Sequence, residues 1–500
     1  MQADLTIDEP TTEALAPDGA LSGQRRNVIF VAVLLGMLLA ALDQTIVATA
    51  LPTIGRALHD VDDLPWVVTA YLLTSTAVTP LYGKLSDIHG RRTMLLTSIA
   101  LFLVGSLACA VAPTMLALIL ARGLQGIGGG GLISLAQTVI ADVVAPKERA
   151  RYQAMIASVF VASSIAGPIL GGVLAEHLHW SMIFWINLPL GAAALWSTDR
   201  TLRRLPRHER PHRLDYVGGA LIVLATVTLL LALSWGGNRY PWGSTPILAL
   251  LAASAGLAVL FGLRLATAPE PFLPVTVLLD RVVSRGTATA CFAMGTFIGL
   301  SIYVPVYFEL ALGLTASQSG LALVPLMVGV VTGATLSGRL MARLRHYKRP
   351  ATIGLSVALT GCLLLAWRPM GPPLALVELV LAAVGMGLGT VLPVTTVSIQ
   401  NAVPMHQMGS ATGVMTFFRA LGGAVAVAGF GALVLGGGAH GQAAALASPT
   451  LSPGQDLEPT FRALFAAAAA GLAMALAWFL AMDERPLRSG APAPRPAAAS

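Results

Sequence analysis

A few ionisable and amide side chains interrupt long apolar runs. Asp43 stands in Leu42-Asp43-Gln44-Thr45-Ile46-Val47, and Arg122 opens Arg122-Gly123-Leu124-Gln125-Gly126. Arg419 follows Thr416-Phe417-Phe418, while Glu309 and Glu378 lie near the ends of two further runs. A charge held in hydrocarbon costs at least ~2.5–3.5 kcal/mol, so it needs a partner or a cavity. Asp43 lies about fifteen residues from the start of its run and Arg122 about eight from the start of its own, so at ~1.5 Å per residue the two reach similar depth if the runs are antiparallel. An Asp–Arg pair there is broken when the aspartate takes up a proton, which is the chemistry of a proton switch; a static ion pair uses the same residues. Glu309 and Glu378 either attract a cationic group or sit at the interface with no further role. Arg419 needs a cavity, a partner or a bound molecule, and Gln125 lies one turn beyond Arg122.

Other chemistries lack their residues. Cys109, Cys291 and Cys362 all lie in apolar stretches without CxxC spacing. The nine histidines show no HExxH spacing, so no metal is expected. No Gly-x4-Gly-Lys-Ser/Thr phosphate loop occurs. Gly126 to Gly131 satisfies G-x-G-x-x-G, but without the preceding strand and βαβ unit that a dinucleotide site requires. No cofactor is expected.

The elements that carry these residues follow from composition. Of 500 residues, 55% are hydrophobic and 11% charged, against about 25% charged in soluble domains. Mean hydropathy is +0.75. So few charges cannot coat a water-facing surface, and the chain reads as an all-α integral membrane protein, since lipid admits only helices or closed barrels. A spanning helix needs about 20 apolar residues. Fourteen stretches qualify: 27–51, 64–83, 93–112, 114–138, 153–175, 180–198, 215–235, 246–266, 287–308, 318–338, 350–367, 373–397, 408–435 and 460–481. With the N-terminus in the cytoplasm, 25 of the 31 lysines and arginines fall in cytoplasmic segments and 4 outside, with Arg122 and Arg419 inside spans. That asymmetry fixes the orientation and places both termini in the cytoplasm. It also accounts for the net charge of +7 without nucleic acid. The first apolar run is too long for a cleavable signal. The organisation expected is a disordered tail over 1–24, a six-helix bundle over 25–198, a basic loop with two inserted helices over 199–286, a second bundle over 287–481, and a disordered tail over 482–500. The loop 436–459, rich in glycine and alanine, is expected outside.

An internal repeat supports two bundles. Gly83-Lys84-Leu85-Ser86-Asp87-Ile88-His89-Gly90-Arg91-Arg92 follows the second span, and Gly338-Arg339-Leu340-Met341-Ala342-Arg343 follows the tenth. Glycine, basic residue and leucine recur in register, with Ala342 where the aspartate would stand. Paired bundles of this kind bind substrate near the midplane and rock about it. The first loop resembles the signature cytoplasmic motif of the major facilitator superfamily, G-x-L-a-D-x-x-G-R-R. The resemblance implies a conformational latch made by Gly83, Asp87, Gly90, Arg91 and Arg92, with Asp142 as partner.

Further segments resemble the fourteen-helix drug:proton antiporters of the EmrB/QacA type. Leu42 to Val47 with Leu51-Pro52 is similar to their first-helix motif, and Arg122-x-x-Gln125-Gly126 to their fourth. The resemblance implicates Asp43 and Arg122 in proton coupling. Gly167-Pro168-Ile169-Leu170-Gly171-Gly172 resembles the motif that separates exporters from uptake carriers, although Ser163 replaces an upstream glycine. Trp180 to Gly191 resembles the entry to helix 6, with Ser181 in place of arginine. Gly409 to Gly413 and Arg419 to Gly423 resemble span 13. What the resemblance implies is a proton-coupled efflux antiporter of amphipathic compounds in a bacterial inner membrane. Gln125, Glu309, Glu378 and Arg419 are its cavity candidates, and the pocket is lined from spans 1, 2, 4, 5, 9, 10 and 13. Small amphipathic substrates and the bilayer are the expected partners, nucleic acid is not, and a periplasmic adaptor stays open. An uptake symporter or metabolite carrier on the same fold is the alternative. A membrane-embedded enzyme or receptor would need a catalytic constellation or sensory domain that the sequence lacks. The 28 arginines against 3 lysines point to a GC-rich bacterial source.

Overall fold

The computed structural model describes residues 23–60, 63–203, 215–237, 239–344, 346–434 and 457–487. These residues are helical almost throughout. The first half contains α1 (Gly23–Leu58), α2 (Leu64–His89), α3 (Arg91–Ala110), α4 (Met115–Val143), α5 (Pro146–His177), α6 (Met182–Trp185) and α7 (Asn187–Leu202). Then come α8 (Tyr216–Trp235), α9 (Thr245–Thr267) and the short α10 (Val275–Leu279). The second half contains α11 (Arg281–Leu312), α12 (Ala316–Ala322), α13 (Val324–Arg343), α14 (Arg349–Trp367), α15 (Leu374–Ala402), α16 (Met408–Val434) and, as α17, Glu458–Ala481.

Among the described residues, 13 helices are long and apolar enough to cross a membrane, so the chain is a multi-pass membrane protein. The stretch expected as the sixth span divides into α6 and α7 at Ile186. Pro189 lacks the N–H that would bond the Trp185 carbonyl, which ends the first segment there. The 16 residues of α7 fall short of a full crossing, yet α7 packs inside the first bundle against α1 and α3. Helix ends follow local chemistry. Gly90, at φ +87°, turns α2 into α3 in a conformation that side chains with a Cβ rarely adopt. The Asp280 carboxylate accepts from the backbone N–H groups of Val282 and Val283 to start α11.

Each bundle has its own apolar core. In the first, Met37, Leu39, Phe102, Leu132 and Leu135 pack together, with a second cluster of Ile46, Val67, Leu118 and Phe184 towards the end away from the basic loops. In the second, Tyr307, Leu326, Leu381, Phe461, Phe465 and Phe479 interlock, with the Tyr307 ring 5.1 Å from that of Phe461 and 5.2 Å from that of Phe465. The bundles meet where α2 and α4 touch α16 and where α5 touches α13 and α15. The inserted pair is fastened mainly through α8. At one end the Trp66 and Trp235 rings meet edge to face at 5.7 Å. At the other, Ile222, Phe272 and Leu273 pack on Leu81 of α2 and Val414 of α16.

The tail expected to be disordered from 482 begins otherwise. Met482 is buried in the second core. Tyr347 Oη donates to the Arg485 carbonyl at 3.0 Å, Asn401 Nδ2 to that of Pro486 at 3.1 Å, and Arg485 Nη2 pairs with Asp280 at 2.9 Å. Polar side chains at the ends of three helices thus find partners in residues 482–487. Residues 488–500, 1–22, 204–214 and most of the 436–459 loop lie outside the described residues.

Candidate functional site

Asp43, on α1, and Arg122, on α4, stand 79 positions apart in sequence, and Arg122 Nη1 donates to Asp43 Oδ2 at 2.6 Å. Asp43 is 0% exposed and Arg122 1%, so the pair is sealed from both faces of the protein. The other carboxylate oxygen accepts from Asn187 Nδ2 at 2.7 Å and Gln125 Nε2 at 2.9 Å. Ser106 Oγ on α3 holds both amides, at 3.1 Å and 2.7 Å. Arg122 Nη1 also donates to Gln125 Oε1 at 2.6 Å, and Nε to the Val67 carbonyl of α2 at 3.0 Å. Its guanidinium carbon lies 4.4 Å from the Tyr71 ring centroid and 5.8 Å from that of Phe184, and aromatic faces stabilise such a cation. α4 and α7 therefore supply the donors to one carboxylate on α1, while α2, α3 and α6 brace those donors. Gln125 was picked out in sequence by the resemblance of Arg122-x-x-Gln125-Gly126 to a family motif. Asn187 and Ser106 were not, because their distance in sequence hides them; the only signal was an asparagine in the Phe184-Trp185-Ile186-Asn187 segment.

Asp87 meets the opposite bundle. Its carboxylate accepts from the backbone N–H of Gly409 at 2.9 Å and of Ser410 at 2.7 Å, and from Ser410 Oγ at 2.7 Å. It thus caps the first turn of α16 from outside that helix, where unpaired N–H groups and the helix dipole favour an anion. Arg91 pairs with Asp87 at 2.5 Å and with Asp142 at 2.9 Å, and reaches the Met405 carbonyl at 3.4 Å. Gly83 makes the contact possible: a Cβ there would come within 2.5 Å of the Gly409 carbonyl oxygen. Gly90 supplies the turn. Arg92 behaves differently from the expectation that grouped it with the latch. It pairs with Asp199 of α7, inside its own bundle, and Arg203 shares that carboxylate. Hydrogen bonds from Arg203 and then Arg92 hold Asp199, beyond the basic end of the expected sixth span, below the ordinary carboxylate pKa. In the second half no aspartate is available to repeat the contact.

The glycines of α5 serve α1. A Cβ on Gly167 would strike Thr45 and one on Gly171 would strike Thr49 and the Ile46 carbonyl, whereas Gly172 faces open space. Thr45 Oγ1 donates across the contact to the Ser163 carbonyl at 2.9 Å. Pro168 lies within α5 beside this contact. α1 and α5 thus approach closely two residues from Asp43.

The remaining candidates stay apart. Glu309 sits three residues before the end of α11 and Glu378 in the second turn of α15, both half-buried. Arg419 is buried at mid-helix in α16, bonded to Thr395 and Thr396.

The sequence matches the family model of the Major Facilitator Superfamily over residues 33–427. The chain belongs to the major facilitator superfamily. Members of that family are transporters rather than enzymes. It is 36% identical over 435 residues to an uncharacterised MFS-type transporter of Mycobacterium tuberculosis, covering 85% of this chain and 62% of that protein, so it spans under two thirds of that relative's length. It is 32% identical to the multidrug transporter protein MdtP of Bacillus subtilis, over 90% of this chain and 82% of the relative. It is 33% identical to multidrug resistance protein 3 of the same bacterium, over 81% and 78%. Among solved structures, the human organic anion transporter MFSD10 superposes with a TM-score of 0.63 at 18% identity, over 89% of this chain and 99% of that one. A bacterial homologue of the iron transporter ferroportin in an outward-facing state gives 0.62 at 14% identity, over 91% and 99%. Likeness at such identities establishes the fold alone.

Proposed function

We propose that this transporter is a proton-coupled efflux antiporter of amphipathic compounds, of the fourteen-span EmrB/QacA type, in a bacterial plasma membrane. The sixth crossing is made by α6 and α7 together, and both termini lie in the cytoplasm, as the distribution of basic residues favours. The observation that carries the proposal is the sealed Asp43–Arg122 pair with its two amide donors. In a dry site an ion pair is held strongly and neutralising one partner releases it. Protonated Asp43 no longer compensates Arg122. The Asn187 Oδ1 atom, buried without a partner, accepts the new carboxyl proton once the amide turns over. The guanidinium retains the Val67 carbonyl, Gln125 and the Tyr71 face. α1 carries Asp43 and packs on α5, so the change reaches the helix that touches α13 and α15 of the other bundle. Rocking of the bundles opens the basic-loop side only when Asp87 leaves the first turn of α16. Efflux is favoured by relatives named as a multidrug transporter protein, a multidrug resistance protein and efflux pumps.

The test is dye accumulation in inverted membrane vesicles with an acid interior, using cationic ethidium and anionic dansylglycine, in wild type and Asp43→Asn. Gradient-dependent accumulation of at least one dye by wild type, abolished in Asp43→Asn, is expected. Accumulation undiminished in the variant removes Asp43 from coupling, and no gradient-dependent accumulation of either dye overturns the antiporter assignment.

A further inference from the structure

Arg419 is a buried cation without a counter-ion. It is 8% exposed, and its hydrogen bonds go to two neutral hydroxyls, Thr396 Oγ1 at 2.8 Å and Thr395 Oγ1 at 3.3 Å. Its Nε is buried with no partner. Among the described residues no carboxylate pairs with it. The two hydroxyls cannot take the place of one. Thr395 Oγ1 donates its own proton to the Val391 carbonyl at 2.9 Å and Thr396 Oγ1 to that of Leu392 at 2.8 Å, so both only accept from Arg419 and fix its direction.

The face of α16 that carries Arg419 runs to the seam between the bundles. Thr412, Thr416 and Arg419 follow one another at four and three residues, so they share a face of α16. At the basic end of this face, Gln400 Nε2 of α15 lies 3.4 Å from Thr412 Oγ1 and 3.4 Å from the Gln137 carbonyl of α4, in the other bundle. Seven residues at ~1.5 Å each put Arg419 about 10 Å from that contact, on the side away from the basic loops. Thr396, one turn from Gln400, places α15 consistently. Gln137 Oε1 and Gln400 Oε1 are also buried without partners, so this seam holds several polar atoms that the protein leaves unmatched. An unpaired ionisable group at membrane depth marks a cavity or a pathway.

We propose that Arg419 receives the anionic group of the transported compound. The substrates are then amphipathic anions carrying a carboxylate or sulfonate, and Thr395 and Thr396 orient the guanidinium towards it. A planar guanidinium with free N–H donors matches two oxyanion oxygens. The proposal names the substrate class of the transporter described above and rests on that assignment for direction of transport only.

The test needs no gradient. Purified full-length protein in neutral detergent is titrated with dansylglycine and with its uncharged analogue dansylglycinamide, followed by fluorescence anisotropy. Wild type is expected to bind the acid at least about tenfold more tightly than the amide, as a desolvated charge pair does. Arg419→Gln brings the ratio to near one, and Arg419→Lys keeps part of it. Thr396→Val, which leaves the charge in place, lowers the ratio without abolishing it and guards against misfolding of the glutamine variant. Equal affinities in wild type, or a preference for the acid that survives Arg419→Gln, overturn the proposal. Asp43→Asn keeps the preference, so failure of proton coupling and failure of this site give different results.

Discussion

Arg122 and Arg419 each lie buried within an apolar helix, one in each bundle, and their surroundings differ in kind. Arg122 has a carboxylate at 2.6 Å, a backbone carbonyl, an amide oxygen and an aromatic face. Arg419 has two hydroxyls and an Nε with nothing. Both pay the desolvation of a cation, but only the first is repaid within the protein. The comparison teaches that similar sequence contexts, a lone arginine in an apolar run, can mean opposite things. A compensated charge is part of the internal machinery, whereas an uncompensated one is open to something from outside. The same asymmetry recurs at the loops: Asp87 holds the N-terminus of α16, and its counterpart in the second half is alanine.

The largest expected effect breaks the first arginine's compensation. Arg122→Ala leaves Asp43 buried and unpaired and should lower stability by ~3–5 kcal/mol, read as the thermal unfolding of the detergent-solubilised protein. Adding Asp43→Asn should recover much of that loss. If the double variant is no better than the single, the pair is not the source of the destabilisation. Next in size is Asp87→Asn, which weakens charge-assisted bonds worth ~1.5–3 kcal/mol. Hydrogen exchange at the Gly409 and Ser410 amides should accelerate, while the amides of α13 near Gly338 stay as they were. Equal acceleration in both halves would mean that the loops are not asymmetric.

Arg419→Gln is expected not to lower stability and to raise it if anything, because it removes a buried cation whose desolvation no counter-ion offsets. The same unfolding measurement checks it, and a loss as large as that of Arg122→Ala would abolish the distinction drawn here. The smallest effect concerns Asp199. Its pKa is held down by Arg203 and Arg92 in the folded protein, so the pairing contributes stability above the unfolded carboxylate pKa of about 4. That contribution is lost as pH falls through the depressed value. The difference in unfolding temperature between wild type and Asp199→Asn should therefore shrink in acid, and a gap that widens there contradicts the sign.

Much of the fold was legible because lipid imposes it. Nearly every expected crossing appears as a helix long enough to span, since twenty apolar residues have no other way to satisfy their backbone in hydrocarbon. The exception is instructive. The apolar content of 180–198 suffices, but Pro189 divides it and the longer piece has only 16 residues. The tail from 482 looked disordered because composition reports the average solubility of a segment. Its first residues are placed by burial of Met482 in the core and by donors at Tyr347 and Asn401, neither of which is near in sequence.

At the sites, residue type and depth were enough to suggest that Asp43 and Arg122 could meet, because antiparallel spans of known rise align residues by simple counting. The sequence by itself also determined that charges within the apolar runs would need partners. Only the tertiary structure decided which partners they have. Asn187 joins Asp43 with Ser106 behind it, Arg92 turns to Asp199 instead of the other bundle, and Arg419 receives no carboxylate among the described residues. The reason is geometric: one helix fixes the spacing of its own residues, but which side chain faces which across a packed interface depends on the rotation and crossing of both helices, and these follow from the packing of every residue in the bundle.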